Sequence, residues 1–324
     1  MKTRPASRRA FLTSGATLGA LALPGLSRLA EATESTATLS RPSDLKITDV
    51  KCGFIRGGSR LFVKIHTNQD VWGCGEGVDA TTGTYELVKR FSRMLAGKSP
   101  LQVHRLYEDL RRSGIFAGAQ AGMYLAALSA VEAALWDLTG KALGLPVYQL
   151  LGGKFRDRIR VYCDTALYQR RLPKPEDFAR AAREAVDMGF TAVKFDLDEA
   201  DDPKKYDAYN WTASPGELQR MVDQIAAVRE AVGPEIDICV DMHGRYDTVT
   251  GMQVAKRLEP LKVMWLEEPI PAENVEAYRR ISDSTSTPIC AGENHYLAWG
   301  FRPLLESGAV DIVMPDLQKC GGLG

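Results

Sequence analysis

The chain has 324 residues, enough for one large domain or two ordinary ones, and its 45% apolar and 25% charged residues exclude a disordered or collagen-like polymer. Lys+Arg and Asp+Glu both number 41, so the formal net charge is zero and the basic excess of a nucleic-acid binder is missing. No uninterrupted apolar run reaches the roughly 18 residues of a stable membrane span, which leaves a globular protein acting on a small molecule.

Ser7-Arg8-Arg9-Ala10-Phe11-Leu12 opens an apolar stretch that runs to Leu26, and Ala30-Glu31-Ala32 offers a small-residue cleavage site. Basic start, apolar middle and small-residue exit predict a signal peptide over residues 1–32. The paired arginines resemble the bacterial twin-arginine signal, so the expected location is the periplasm. Gly15, Gly19, Gly25, Pro5 and Pro24 argue against the alternative of an amphipathic helix.

From Leu45 to Val78 the pattern is that of strands. Leu45–Val50 and Arg60–Ile65 alternate apolar and polar residues, with Gly57-Gly58 as the turn between them. Val71-Trp72-Gly73-Cys74-Gly75-Glu76-Gly77 reads as a third strand; a dinucleotide-binding loop would need a βαβ unit around these glycines, and none is present. Residues 84–143 turn helical, and Leu125, Leu128, Val131, Leu135 and Leu138 recur at three- and four-residue steps as a buried stripe. Residues 44–150 are therefore expected to form an α+β unit.

After Gly152-Gly153 the period changes. Strand-like runs at 158–164, 191–197, 236–242, 262–268, 287–293 and 310–316 alternate with helical segments at 176–188, 216–232, 273–282 and 299–307, which predicts parallel βαβ units. Asp241, Glu267, Glu293 and Asp316 end four successive strands, 26, 26 and 23 residues apart. In a β/α barrel the strand ends converge on one mouth, whereas a Rossmann-type sheet concentrates its site at one crossover. Strand parity agrees: Ile238 and Val240 share the face toward the outer helices, while Cys239, Asp241 and His243 share the lumenal one, as do Lys194 and Asp196 against Val193 and Phe195. Six strands fall short of the eight or so that close such a barrel. The α/β class is thus an incomplete barrel over 151–324 in a truncated chain, or else an open sheet with two edges.

The six cysteines form no CxxC pair, which argues against a zinc ribbon or thioredoxin-type site; several sit in apolar strand-like runs and read as small buried hydrophobes, with an occasional disulfide as the alternative. The acids carry the chemistry. Three carboxylates about 4 Å apart would repel by roughly 4 kcal/mol per pair at an effective dielectric near 20, so Asp241, Glu267 and Glu293 around one mouth call for a cation or raised pKa values. Hard oxygen donors suit Mg²⁺, with Mn²⁺ as the alternative. A single acid at a strand end would serve as a polar cap; three at equal pitch point to function.

Val240-Asp241-Met242-His243-Gly244-Arg245, Trp265-Leu266-Glu267-Glu268-Pro269, Ala291-Gly292-Glu293-Asn294 and Met314-Pro315-Asp316 resemble the enolase superfamily, specifically its mandelate racemase subgroup, over roughly residues 44–324. The resemblance implies a modified barrel with a capping domain (44–150), in which Mg²⁺ holds the substrate carboxylate, a base takes the α-proton and the metal stabilises the enediolate. Asp241, Glu267 and Glu293 fall on the metal-ligand positions, with Glu267 rather than Glu268 as the first acid of its run. His243 matches the general acid of dehydratases resembling galactonate dehydratase, where it protonates the departing β-hydroxyl. The subgroup's racemases carry Lys-x-Lys on the second strand. Lys194-Phe195-Asp196 lacks the second lysine, which favours dehydration; Lys194 is left as a substrate-carboxylate contact or base, and Asp196 as a hydroxyl contact.

Asp316 matches the aspartate of an Asp–His dyad whose histidine, the base, comes from a seventh strand beyond the six. His295 and Arg245 are assigned as substrate contacts, as are loops near Arg56-Gly57-Gly58 and Gly114–Gly122 by family architecture. The expected activity is an Mg²⁺-dependent dehydratase of aldonate-type acid sugars, with the small-molecule acid sugar as partner and a homo-oligomer implied by a family that is often oligomeric. The alternatives are a racemase, epimerase or cycloisomerase, or an inactive metal- or sugar-binding remnant.

Overall fold

A computed structural model describes residues 41–55, 59–165, 173–198, 205, 207 and 209–324. The predicted signal at 1–32 and the turn at Gly57-Gly58 lie outside these residues. No helix among the described residues is long and apolar enough to cross a membrane.

The amino-terminal unit is an antiparallel meander, β1 (Ile47–Phe54), β2 (Leu61–Thr67) and β3 (Trp72–Gly77), in the order β1-β2-β3. Helices α1 (Thr82–Leu95), α2 (Val103–Arg112) and α3 (Gly122–Leu143) follow, with a single turn α4 (Val147–Leu150). Alternation places Leu61, Val63 and Ile65 on one face of β2, and the α3 stripe of Leu125, Leu128, Val131, Leu135 and Leu138 shares their core. All five stripe residues are fully buried. The glycines of β3 serve this packing: a Cβ on Gly75 would run into the Ala130 carbonyl of α3, and one on Gly73 would stand 2.7 Å from Leu138 Cβ. The glycine-rich strand is thus a seat for a helix.

The second unit is a parallel sheet of six described strands in sequence order. They are β4 (Cys163–Asp164), β5 (Ala192–Asp196), β6 (Asp237–Asp241), β7 (Trp265–Glu267), β8 (Ile289–Ala291) and β9 (Ile312–Val313). Each lies within the run where the sequence places it but is shorter, and β5, β6 and β7 end on Asp196, Asp241 and Glu267. Helices α5 (Pro175–Asp187), α6 (Pro215–Val232), α7 (Thr248–Leu258), α8 (Val275–Ser282) and α9 (Leu297–Glu306) supply the crossovers. Helix α7 fills the crossover between β6 and β7, and Asp247 caps it by accepting from Thr250 N at 2.7 Å.

Strand parity sorts two cores. Val193, Phe195, Ile238, Val240 and Leu266 pack outward under the helices. Cys239, Trp265 and Cys290 fill the lumen with Tyr162, Ile312 and Met314. All six cysteines are free, but only Cys239, Cys290 and Cys320 are buried, and Cys74 is exposed. The expectation of small buried hydrophobes therefore fails for Cys74, because β3 turns that side of its pleat to solvent.

The segment after β9 fastens the two units. Gly321 N donates to Ser129 Oγ at 3.0 Å, while Leu323 N and Gly324 N donate to the two oxygens of Glu132 at 2.8 and 2.9 Å. Trp136 Nε1 also donates to Glu132, at 2.7 Å, so this buried carboxylate on α3 is fully engaged. Lys319 reaches across to Asp79, just after β3, at 2.5 Å.

Gly75→Ala is expected to lower stability by about 1–3 kcal/mol, since the helix backbone it strikes has no rotamer to yield. Urea unfolding followed by circular dichroism reads this as a lower midpoint, and an unchanged midpoint would contradict the seating of α3 on β3.

Candidate metal and acid–base site

The ladder register builds the site. Asp196 pairs with Asp241 across β5 and β6, and Asp241 with Glu267 across β6 and β7. Neighbouring strands lie about 4.8 Å apart, so three carboxylates form one row at the carboxyl end of the sheet. Glu293 joins from just beyond β8, whose Ala291 is the last ladder residue.

Lys194 answers the row. Its ammonium lies 2.5 Å from Asp241 Oδ2 and 3.0 Å from Glu267 Oε2, with side-chain exposure of only 9%. Burial alone would pull this lysine down, but the two carboxylates outweigh it and hold it well above its ordinary pKa. Trp265 Nε1 donates to the same Glu267 oxygen at 3.2 Å.

The remaining acids stay strained. Burial, with Asp241 and Glu293 nearby, pushes Glu267 up against the pull of Lys194. Burial and Asp241 also raise Glu293. Asp196 is pushed up to about 7 by burial and by its acidic neighbours, in spite of His243. Each pair within Asp241, Glu267 and Glu293 thus feels mutual repulsion, and a hard divalent cation among these oxygen donors would relieve it. All three are hard oxygen donors, the ligand type such an ion takes. Among the described residues, the one group of three whose ligand atoms all lie within 4.8 Å of one another is a different set, an oxygen each of Asp196 and Asp241 and a ring nitrogen of His243.

His243 stands beside the row by a local device. β6 ends at Asp241, whose Oδ1 accepts from His243 N at 2.9 Å, and His243 takes a left-handed φ of 48°. Met242 enters the outer core while the imidazole returns to the mouth, so the face expected from strand parity is reached by a turn. Nδ1 contacts Asp198 Oδ1 at 2.8 Å and Nε2 lies 3.8 Å from Asp241 Oδ2. Burial opposes the charge, but the Asp198 hydrogen bond and the charges of Asp241, Asp198 and Asp196 prevail, raising the pKa to about 10. These neighbours favour the protonated, acid form of the ring.

A cavity of about 600 Å³ opens over it, lined by Asp79, Tyr209, His243, Arg245, Glu293 and Asn294 among others. Arg245 lies 3.5 Å from Asp198 and 4.6 Å from the Tyr209 ring centre. On the amino-terminal side Asp79 lines this cavity and the Gly114–Gly122 segment does not; apart from Gly114 and Ala119 that segment is exposed. Arg56-Gly57-Gly58 lies outside the described residues.

Two assigned residues stand apart. Asp316 Oδ1 accepts from Gln318 N at 3.0 Å, and its carbonyl accepts from Lys319 N and Cys320 N; among the described residues no hydrogen bond or ion pair joins it to the row. His295 is 8% exposed, its ring packs on Phe301, and its Nδ1 is buried without a partner, so it does not line the cavity. Its backbone N–H bonds Gly292 O, and that turn carries the side chain inward.

Asp198 and Asn294 receive no role from the sequence, and Glu268 is set aside there in favour of Glu267. Asp198 follows Asp196 by two, a spacing that signals a shared side of the chain. Glu268 is fully buried and pushed up to about 7 by burial and Glu293, against hydrogen bonds from Asn294 and Gly292.

Lys194→Met leaves Asp241 and Glu267 buried without their cation, and urea unfolding in metal-free buffer should show a loss of about 3–5 kcal/mol; a loss under about 1 kcal/mol would mean the ion pair is idle. For His243 the folded-state pKa lies above the unfolded one, so its stabilising contribution is full below about 6.5 and is lost as pH rises through about 10. Imidazole NMR should find the charged ring at about pH 8, and Asp198→Asn should bring its titration down; a ring already neutral there contradicts the geometry.

The comparisons agree with this architecture. Residues 35–152 match the mandelate racemase / muconate lactonizing enzyme N-terminal domain, and residues 177–324 the enolase C-terminal domain-like family. D-xylonate dehydratase from Haloferax volcanii is 38% identical over 86% of this chain and 68% of its own length. D-galactonate dehydratase from Variovorax paradoxus is 34% identical over 81% of this chain and 65% of its own, so the chain spans about two thirds of these relatives. A crystal structure of a mandelate racemase/muconate lactonizing enzyme-like protein from Rubrobacter xylanophilus aligns at TM-score 0.81 and 44% identity, covering 86% of this chain and 74% of that one. Enzymes of this superfamily use a divalent metal, typically Mg²⁺. The row of strand-end acids, the meander-and-helix unit above it and these matches together identify the chain as a member of the mandelate racemase/muconate lactonizing enzyme family of the enolase superfamily.

Proposed function

We propose that this protein is a hydro-lyase that dehydrates aldonate-type acid sugars, with Mg²⁺, or Mn²⁺ in its place, held by Asp241, Glu267 and Glu293. The observation that carries the reading is His243, whose ring is held 2.8 Å from Asp198 beside a buried row of carboxylates that favour its protonated form. The similarity to dehydratases of xylonate and galactonate supports it.

A bound divalent ion would neutralise the acids and draw charge from a substrate carboxylate. The chain's own residues do the rest. Lys194 supplies a second positive charge toward that carboxylate, and Asp196 accepts from a hydroxyl. The reaction removes the α-proton and the β-hydroxyl; His243 delivers its proton to the hydroxyl, which leaves as water, and the enol that remains tautomerises to a 2-keto-3-deoxy acid. Asp316 is the proposed partner of the histidine base that the family resemblance places on a further strand. The unit at 44–150 caps the mouth through Asp79. The reading extends to export by the twin-arginine route, on the strength of Ser7-Arg8-Arg9 and the apolar stretch to Leu26.

The full-length protein with Mg²⁺ should convert one of xylonate, galactonate or gluconate to a product detected by a carbonyl assay. His243→Asn should lower kcat by about 10²- to 10⁴-fold. Deuterium exchange at the α-carbon with no carbonyl product from any of the three would favour a racemase instead.

A further inference from the structure

Glu268 has no exposed surface, and its backbone sits at a left-handed φ of 33°, unusual for a residue with a side chain. Its hydrogen bonds run to the tips of the neighbouring strands. The Glu268 carbonyl accepts from Gly244 N beyond β6 at 2.7 Å. Its carboxylate accepts from Asn294 Nδ2 beyond β8 at 2.7 Å, and the backbone N–H groups of Gly292 and Asn294 approach the other oxygen at 3.4 Å. Asn294 Nδ2 also lies 3.3 Å from Glu293 Oε1. An amide nitrogen carries two hydrogens, so one Asn294 group can serve both carboxylates at once.

We propose that Glu268 and Asn294 are positioning residues for Glu293: Glu268 fixes the Asn294 amide, and that amide aims the Glu293 carboxylate at the cation. The inference rests on the reading of Glu293 as a metal ligand. Partners one step behind a ligand set its direction, and their loss lowers metal affinity while the ligand itself remains. Asn294 is exposed, so its truncation leaves the core intact; Glu268→Gln preserves volume but turns an acceptor into a donor facing a donor.

Mn²⁺ binding to the full-length protein, followed by electron paramagnetic resonance, separates the possibilities. Asn294→Ala should weaken Mn²⁺ about 10- to 100-fold and alter the spectrum of the bound ion, with the metal-free unfolding temperature little changed. Glu268→Gln should do likewise, and the double variant should be no weaker than the weaker single, because both act along one path. Asn294→Ala within about twofold of the unaltered protein, or losses that add in the double variant, would overturn the proposal. Glu293→Gln keeps that result distinct from failure of the underlying reading: if it binds Mn²⁺ undiminished, Glu293 is no ligand and both fall, whereas if it binds weakly while Asn294→Ala does not, only the positioning role falls.

Discussion

Carboxylates on adjacent parallel strands stand one strand spacing apart, and the folded state of this protein must tolerate that proximity. Asp196, Asp241 and Glu267 share a row because the ladder register leaves them nowhere else to go. At about 4.8 Å and an effective dielectric near 20 each neighbouring pair repels by roughly 3 kcal/mol, comparable to a large part of a domain's net stability. Lys194, itself on β5, offsets part of it by bridging Asp241 and Glu267. One ammonium does not balance four acids, and the pKa values of Asp196, Glu267 and Glu293 remain raised. The same excess of negative charge holds the proton on His243 and would attract a divalent ion.

The surroundings of the row pack it from below and tie it to the amino-terminal unit above. Below it, Trp265, Cys239 and Cys290 fill the lumen, and the indole donates to Glu267. Above it, the amino-terminal unit contributes Asp79, tied to Lys319 beyond β9. That tie and the Glu132 cluster make the segment after β9 a strap between the units, so the packing of α3 on glycine-lined β3 bears on the site at a distance.

Much of this could be read from the chain. Constant spacing of the acids revealed the repeated strand–helix unit, and period-two parity separated the lumen residues Lys194, Asp196 and Asp241 from Val193, Phe195 and Val240. Interactions set by turns rather than by strands were not legible. His243 reaches the site through a left-handed turn, Glu268 leaves the alternation at a positive φ, and Asn294 and Asp198 belong to loops whose direction no periodicity fixes. The same gap explains His295, placed near the site by its position just after Glu293, which the turn at Gly292 carries out of the cavity lining. Lys194 was recognised as lumenal, but its double ion pair needed the inter-strand register, which pairs residues from segments dozens of positions apart.

The central proposal is that Asp241, Glu267 and Glu293 would together hold a cation, where Lys194 bridges Asp241 and Glu267. Crystals of the full-length protein grown with Mn²⁺, with anomalous scattering used to locate the ion, test it most directly. The account predicts a peak among those three carboxylates, with the Lys194 ammonium shifted from between Asp241 and Glu267. A peak on Asp196, Asp241 and His243 instead, with Lys194 still bridging its two partners, would contradict it.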